Sequence, residues 1–63
     1  MTEQDITTAV DQAKADGRIK TVSHYIKLAI VDIKVNGMKW RDAAEKHHVS
    51  MGGISRCMAK IFV

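Results

Sequence analysis

The segment from Trp40 to Met58 constrains the fold of this chain more than any other part of it. It places two adjacent small residues, Ala43 and Ala44, before the apolar residues Val49 and Ile54. Small residues let two helices cross closely, and a short turn gives each later apolar residue a fixed place. The spacing predicts a helix-turn-helix, in which two helices meet at about 90–120° across a turn of about three or four residues.

Length and composition limit the chain to one small domain over residues 1–63. The absence of proline and the presence of only four glycines favour helix throughout. The single cysteine excludes an intramolecular disulfide, and the sequence shows neither a signal segment nor an apolar run long enough to span a bilayer. We therefore expect a soluble, cytoplasmic protein without a membrane partner.

Apolar periodicity and helix-end signals predict an all-α fold, a small bundle of about four helices that contains the helix-turn-helix. The predicted ranges are about 3–16, 22–36, 39–47 and 51–62. Thr2 and Asp5 form a capping-box pattern at the first start, and Gly17 suits the first end. Asn36-Gly37 is the strongest break signal in the chain and separates the second helix from residues 38–62, the helix-turn-helix.

The second predicted helix is apolar around most of its circumference, because only Lys27, Asp32 and Lys34 interrupt its apolar residues. A helix of this kind needs cover on nearly all sides. The first helix has few large apolar residues, so we expect residues 1–36 to provide a homodimer interface as well as core. The predicted interface residues are Tyr25, Leu28, Val31 and Val35. The alternative is that all of this apolar surface belongs to one intramolecular core.

Charge is unevenly distributed along the chain, whose net charge is +3. Residues 1–18 hold two basic and four acidic residues, whereas the remainder holds eight basic and three acidic residues. The basic part coincides with the predicted helix-turn-helix, and such a patch attracts polyanions by counterion release. A solvated basic surface is the alternative interpretation.

The first residues of the second helix in a helix-turn-helix approach base edges in DNA. The predicted base-contact residues are Ser50, Met51, Gly52, Ser55 and Arg56. Arg56 is the best candidate for direct readout, because a guanidinium can donate to O6 and N7 of guanine together; a phosphate contact or a surface ion pair is the alternative. Ser50 is expected mainly to cap the helix. Gly52-Gly53 favours close approach of the backbone to DNA or to the preceding helix, and the alternative is that the turn simply tolerates glycine there.

Further basic residues are candidates for phosphate contacts, which position a protein without reading sequence. The predicted phosphate contacts are Lys39, Arg41, Lys46 and Lys60. Lys39 and Arg41 lie at the start of the third helix, where backbone amides also favour phosphate. Trp40, between them, is expected to pack on the core.

His47 and His48 lie in the predicted turn, where many helix-turn-helix units have an apolar residue and then a glycine with positive φ. Histidine tolerates that conformation better than most residues. A metal site with His24 and Cys57 is not expected, because the chain lacks Cys-x-x-Cys and His-x-x-x-His spacing.

Catalysis finds no support in the sequence, which shows no glycine-rich phosphate loop and no nucleophile paired with a base. The acidic residues are distributed over helix faces, as is typical of solvated positions. We therefore expect no enzyme activity, no cofactor, no metal and no small-molecule ligand.

The stretch from Lys27 to Phe62 resembles the DNA-binding domain of the TrfB/KorA-type plasmid repressors, and PapB-type fimbrial regulators are similar in the same region. The resemblance rests on Leu28-Ala29, Asn36-Gly37, the run from Val49 to Arg56, and the ending Lys60-Ile61-Phe62. It implies a dimer on a palindromic operator, with Ser50, Gly52, Ser55 and Arg56 at the reading edge. Two features depart from the resemblance. His48 stands where the turn usually has glycine, and the separate C-terminal dimerisation segment of the longer relatives has no counterpart in these 63 residues.

These observations predict a transcriptional repressor of plasmid conjugation or maintenance genes that binds double-stranded DNA through the major groove as a homodimer. A phage control or excision protein shares the same features. A protein-interaction module, such as an antitoxin or an adaptor that uses the second helix, is the alternative from another class.

Overall fold

The computed structural model describes residues 1–62, and within them the chain forms four α-helices and no strand. They are α1 (Glu3–Ala15), α2 (His24–Lys34), α3 (Trp40–Lys46) and α4 (Met51–Ile61). The predicted all-α bundle is confirmed. Each helix begins within two residues of its predicted start and ends one or two residues before its predicted end.

Local signals define both ends of α1. The side chain of Thr2 accepts a hydrogen bond from the Asp5 N–H at 3.2 Å, and the Asp5 carboxylate accepts one from the Thr2 N–H at 2.9 Å. The predicted capping box is therefore present, and the Thr2 N–H lowers the pKa of Asp5. At the other end Gly17 adopts φ 75°. The Arg18 N–H then bonds the carbonyl of Ala13 at 3.0 Å, which closes a Schellman motif.

The core lies where α2 meets the other three helices, and α4 also packs on α1 and α3. Its centre consists of Ile6, Ile30 and Ile54, one from each of α1, α2 and α4, and all three are fully buried. Burial of such a side chain contributes about 1.5–3 kcal/mol. Because α3 contributes only Ala43 and Ala44 to the buried set, it can lie close to α2 without a large side chain between them.

One side of α2 remains uncovered in a single chain. Ala29, Ile30 and Asp32 are buried, whereas Tyr25 is 60% exposed and Val35 is 37% exposed. Leu28 and Val31, the other two predicted interface residues, are half-buried. The bundle therefore covers only part of the apolar circumference that the sequence showed.

The expectation that acidic residues occupy solvated positions is wrong for Asp32, which is 8% exposed. The polar groups that offset its burial are Asn36, which follows α2, Lys46 of α3, and His47 in the turn after α3. Over residues 1–62, no helix has the length and apolar character needed to cross a membrane.

Candidate nucleic-acid interface

A four-residue turn, 47–50, joins α3 to α4 and sets their relative position. His48 adopts φ 55° there, the left-handed conformation that its place in the sequence predicted. Its N–H bonds the Glu45 carbonyl at 3.4 Å, and the Val49 N–H bonds the Ala44 carbonyl at 3.0 Å. These two bonds form a Schellman motif that satisfies the last carbonyls of α3 and directs the chain sharply into α4.

Ser50 begins α4 as its N-cap, as predicted, and its side-chain oxygen accepts a hydrogen bond from the Gly53 N–H at 3.0 Å. A methyl group at Gly53 would lie 3.0 Å from that oxygen and 3.2 Å from the Ile26 side chain. Close approach therefore explains Gly53, but the helix that it approaches is α2 and not the preceding helix, α3. Nothing lies within 4 Å of the corresponding position at Gly52, which faces open space.

The residues predicted to contact bases lie on exposed positions of α4 and its cap. Ser50, Met51, Gly52, Ser55 and Arg56 are all exposed. Their helix carries Ile54, Met58 and Ile61 on the opposite, buried face. Successive residues of an α-helix are rotated by about 100° around its axis, so residues three and four positions apart lie on the same side. Gly52, Ser55 and Arg56 therefore project from one side of α4.

Arg56 has no carboxylate partner among residues 1–62. The hydrogen bond that its side chain makes within this range is a long one, 3.4 Å from Nε to the Gly52 carbonyl. A contact of that length is weak, so the guanidinium is available to an external acceptor.

The predicted phosphate-contact residues have different surroundings. Lys39 is the exposed N-cap of α3, and Lys60 is exposed near the end of α4. Arg41 lies 3.6 Å from Glu45, one turn along α3, in a pair exposed enough to contribute little stability. The Lys46 ammonium lies 3.3 Å from the Asp32 carboxylate, so in the free chain Lys46 forms an ion pair with a buried residue.

A polar cluster around Asp32, which the sequence did not reveal, fixes the helix-turn-helix to α2. One carboxylate oxygen contacts Nε2 of His47, and the other accepts a hydrogen bond from the Asn36 amide at 2.8 Å. Hydrogen bonds from His47, then Asn36, lower the pKa of Asp32 to about 2. Because His47 ends α3 and Asp32 belongs to α2, the cluster holds the turn against the core.

Arg18 is a second residue that sequence reasoning missed. Its guanidinium donates to the carbonyls of Lys60 at 2.9 Å and Ile61 at 3.3 Å, and it lies 3.3 Å from the Asp16 carboxylate. Arginine thereby satisfies carbonyl groups at the C-terminal end of α4, where a cation is favourable. These bonds tie the α1–α2 loop to the end of α4, across more than 40 residues of sequence.

The sequence predicted that Trp40 packs on the core and that Cys57 is a buried core residue. Trp40 is instead 38% exposed at the start of α3 and is not among the residues that form the core or pack against it. Cys57 is half-buried against the core. Among residues 1–62, no three His, Cys, Asp or Glu side chains form a group that could hold a metal ion.

No family model, no curated protein and no solved structure matches this chain. The resemblance to plasmid repressors therefore stays a prediction.

Proposed function

We propose that this protein is a sequence-specific DNA-binding transcriptional repressor that binds a palindromic operator as a homodimer. The observation that carries the proposal is the solvent-facing side of α4, where Gly52, Ser55 and Arg56 are exposed together and where, among residues 1–62, the Arg56 guanidinium has only a long hydrogen bond within α4 and no carboxylate partner.

The dimensions of α4 suit the major groove. Its 11 residues extend for about 16 Å at a rise of about 1.5 Å per residue, and a major groove about 12 Å wide admits one helix. Small residues at positions 52 and 55 allow the helix backbone to approach the bases. Arg56 is long enough to reach past them to a guanine.

The charge distribution supports a DNA partner. Lys39 and Arg41 at the start of α3 and Lys60 at the end of α4 are exposed cations on the two helices of the helix-turn-helix. They would position the protein through phosphates, whereas Arg56 would select the base. Repression would follow from occupation of a promoter, which excludes polymerase.

Selection of bound duplexes from a random pool, followed by sequencing, tests this function at physiological salt. We expect enrichment of a palindrome. The variant Arg56→Ala is expected to keep its fold and dimer and to lose preference at one base pair of each half-site, a cost of about 1–3 kcal/mol.

Arg41→Ala is the matched control, because it removes an exposed arginine from α3. It should weaken binding to all sequences equally and leave the preferred bases unchanged. Recovery of no consensus with the wild-type chain, or an identical consensus with Arg56→Ala, would contradict direct readout by Arg56.

One observation favours a second candidate, a protein-interaction module. Tyr25 and Val35 leave apolar surface exposed on α2, and exposed apolar surface commonly marks a protein contact. Such a module would be insensitive to Arg56→Ala and sensitive to substitution on α2, so variants at these two places separate the two functions.

A further inference from the structure

We propose that the α1–α2 loop is a second DNA-backbone contact, in which Lys20 binds a phosphate of the strand that runs beside α4. The inference rests on the proposed DNA-binding function and adds to it an element that lies outside the helix-turn-helix. It follows from an open groove between this loop and α4.

The groove has a volume of about 690 Å³. The loop residues 17–21 form one wall, the first turn of α2 closes the end, and α4 forms the other wall. Arg56 and Lys60 of α4 line it, and both also lie on or beside the face proposed to read bases. The groove therefore opens directly next to that face.

Its lining is cationic. Arg18, Lys20, Arg56 and Lys60 contribute four positive side chains, and among residues 1–62 no acidic residue lines the groove. Arg18 is engaged with Asp16 and with carbonyls of α4, so it shapes the wall and holds the loop in place. Over the same residues, no carboxylate lies within ion-pair distance of the other three.

Hydroxyl groups add donors beside these cations. Thr21 and Ser23 line the groove and are exposed. Ser23 is the N-cap of α2, yet its side chain makes no capping hydrogen bond, which leaves the hydroxyl available. Lysine, serine and threonine side chains are common donors to phosphate oxygens in DNA complexes.

The geometry of a helix in the major groove brings a sugar–phosphate strand to this place. A helix with side chains is about 10–12 Å across and fills a groove about 12 Å wide, so a strand passes along each flank. The start of α3 carries Lys39 and Arg41, which the sequence already indicated as phosphate contacts. A DNA strand that passes α4 on the side of the α1–α2 loop would lie against Lys20.

A duplex backbone suits this groove better than a free anion. The groove is open and its lysines are exposed, so water screens a single small anion effectively. A polyanion gains instead from the release of condensed counterions by every cation that contacts it.

The test is the salt dependence of operator affinity, measured for the wild-type chain, Lys20→Ala and Lys14→Ala. Lys14 is exposed on α1 and does not line the groove, so its variant removes the same charge from another surface. We expect Lys20→Ala to reduce the slope of log K against log salt by about 0.9 for each half-site, and so by about 1.8 for the dimer, and to weaken dimer binding roughly thirtyfold at about 0.15 M salt. Lys20→Arg should restore the slope, and Lys14→Ala should leave it close to that of the wild type.

Ethylation interference then locates the contact. One phosphate per half-site should block the wild-type chain when ethylated and lose this effect with Lys20→Ala, while the preferred bases stay the same. Equal slopes for Lys20→Ala and Lys14→Ala would overturn this inference and leave the proposed function intact. Failure of the wild-type chain to bind any duplex would overturn the proposed function itself.

Discussion

Asp32 illustrates how one buried residue can set the position of a whole functional element. Its side chain is 11% exposed, and His47, Asn36 and Lys46 surround the carboxylate. A carboxylate in this position must be hydrogen-bonded, since an unsatisfied charged group would be costly to bury. The cluster therefore contributes both stability and the orientation of the turn before α4.

We expect Asp32→Asn to destabilise the fold by on the order of 1–2 kcal/mol at pH 7, because hydrogen bonds to the charged form are lost. The sign of the pH dependence follows from the pKa of Asp32, which lies at about 2 in the folded chain against a reference of 3.8. A lowered pKa stabilises the fold above the unfolded value, and the contribution disappears as pH falls from about 4 to about 2. Urea unfolding at several pH values measures it.

Asp11→Asn is the control, since Asp11 is an exposed carboxylate on α1. It should change stability little at any pH. The difference between the wild-type chain and Asp32→Asn should shrink below about pH 4, and a constant difference down to about pH 2 would contradict the assigned role of the charge.

Residues whose roles depend on near neighbours in sequence were predictable. Ser50 as a cap, the pair Thr2 and Asp5, and the left-handed conformation of His48 all follow from local backbone chemistry. The roles of Asp32 and Arg18 were not predictable, because the partners that fix them to other helices, His47 and the Lys60 carbonyl, lie 15 and more than 40 residues away. The only signal for Asp32 was an acidic residue in a mostly apolar helix, and it fitted a solvated position equally well.

At the scale of elements, the two adjacent glycines of α4 have different surroundings. Gly53 has α2 and its own cap against it, whereas Gly52 faces open space on the proposed reading side. Glycine in a helix costs roughly 0.5–1 kcal/mol relative to alanine. At Gly53 the close contact with Ser50 and Ile26 explains why glycine is present. At Gly52 the proposed close approach to DNA would explain it.

This difference predicts opposite results for two matched variants. Gly52→Ala should raise the free energy of unfolding by about 0.5 kcal/mol and weaken operator binding, because the added methyl group projects towards the bases. Gly53→Ala should gain none of that stability, because its methyl group would press on the Ser50 cap and on Ile26. Urea unfolding and operator titration of both variants provide the measurement. Tighter DNA binding by Gly52→Ala would count against a close approach at this position.

Helix positions were predictable to within two residues, because caps and glycines mark their ends locally. The α1–α2 loop was not assigned a function from the sequence. Its basic residues join those of α4 only through the fold, so no spacing along the chain reports their proximity. On α2 the sequence indicated Tyr25 and Val35, which the bundle leaves exposed, but it did not show that Val31 would pack against the core of a single chain.

At the scale of the whole molecule, the proposed repressor needs one surface for DNA and another for a second copy of the chain, and we propose the exposed side of α2 for the second. Leu28, Val31 and Val35 follow one another at spacings of three and four residues on α2, the pattern of a helix seam. Tyr25 and Val35 are the most exposed residues of the predicted interface. A second α2 packed on this stripe would cover the side that one bundle leaves open and place two copies of α4 about a symmetry axis.

Sedimentation equilibrium over a wide concentration range tests this arrangement, with Val35→Glu and Thr8→Glu as matched variants. Both positions are exposed in a single chain, so the fold should survive either change. We expect the wild-type chain and Thr8→Glu to sediment as dimers of the 7.0 kDa chain, and Val35→Glu to sediment as a monomer because a carboxylate in an apolar seam cannot be satisfied. Operator affinity should fall with it, since one half-site then binds without the other. A wild-type chain that stays monomeric both alone and on its selected duplex would show that α2 serves another partner.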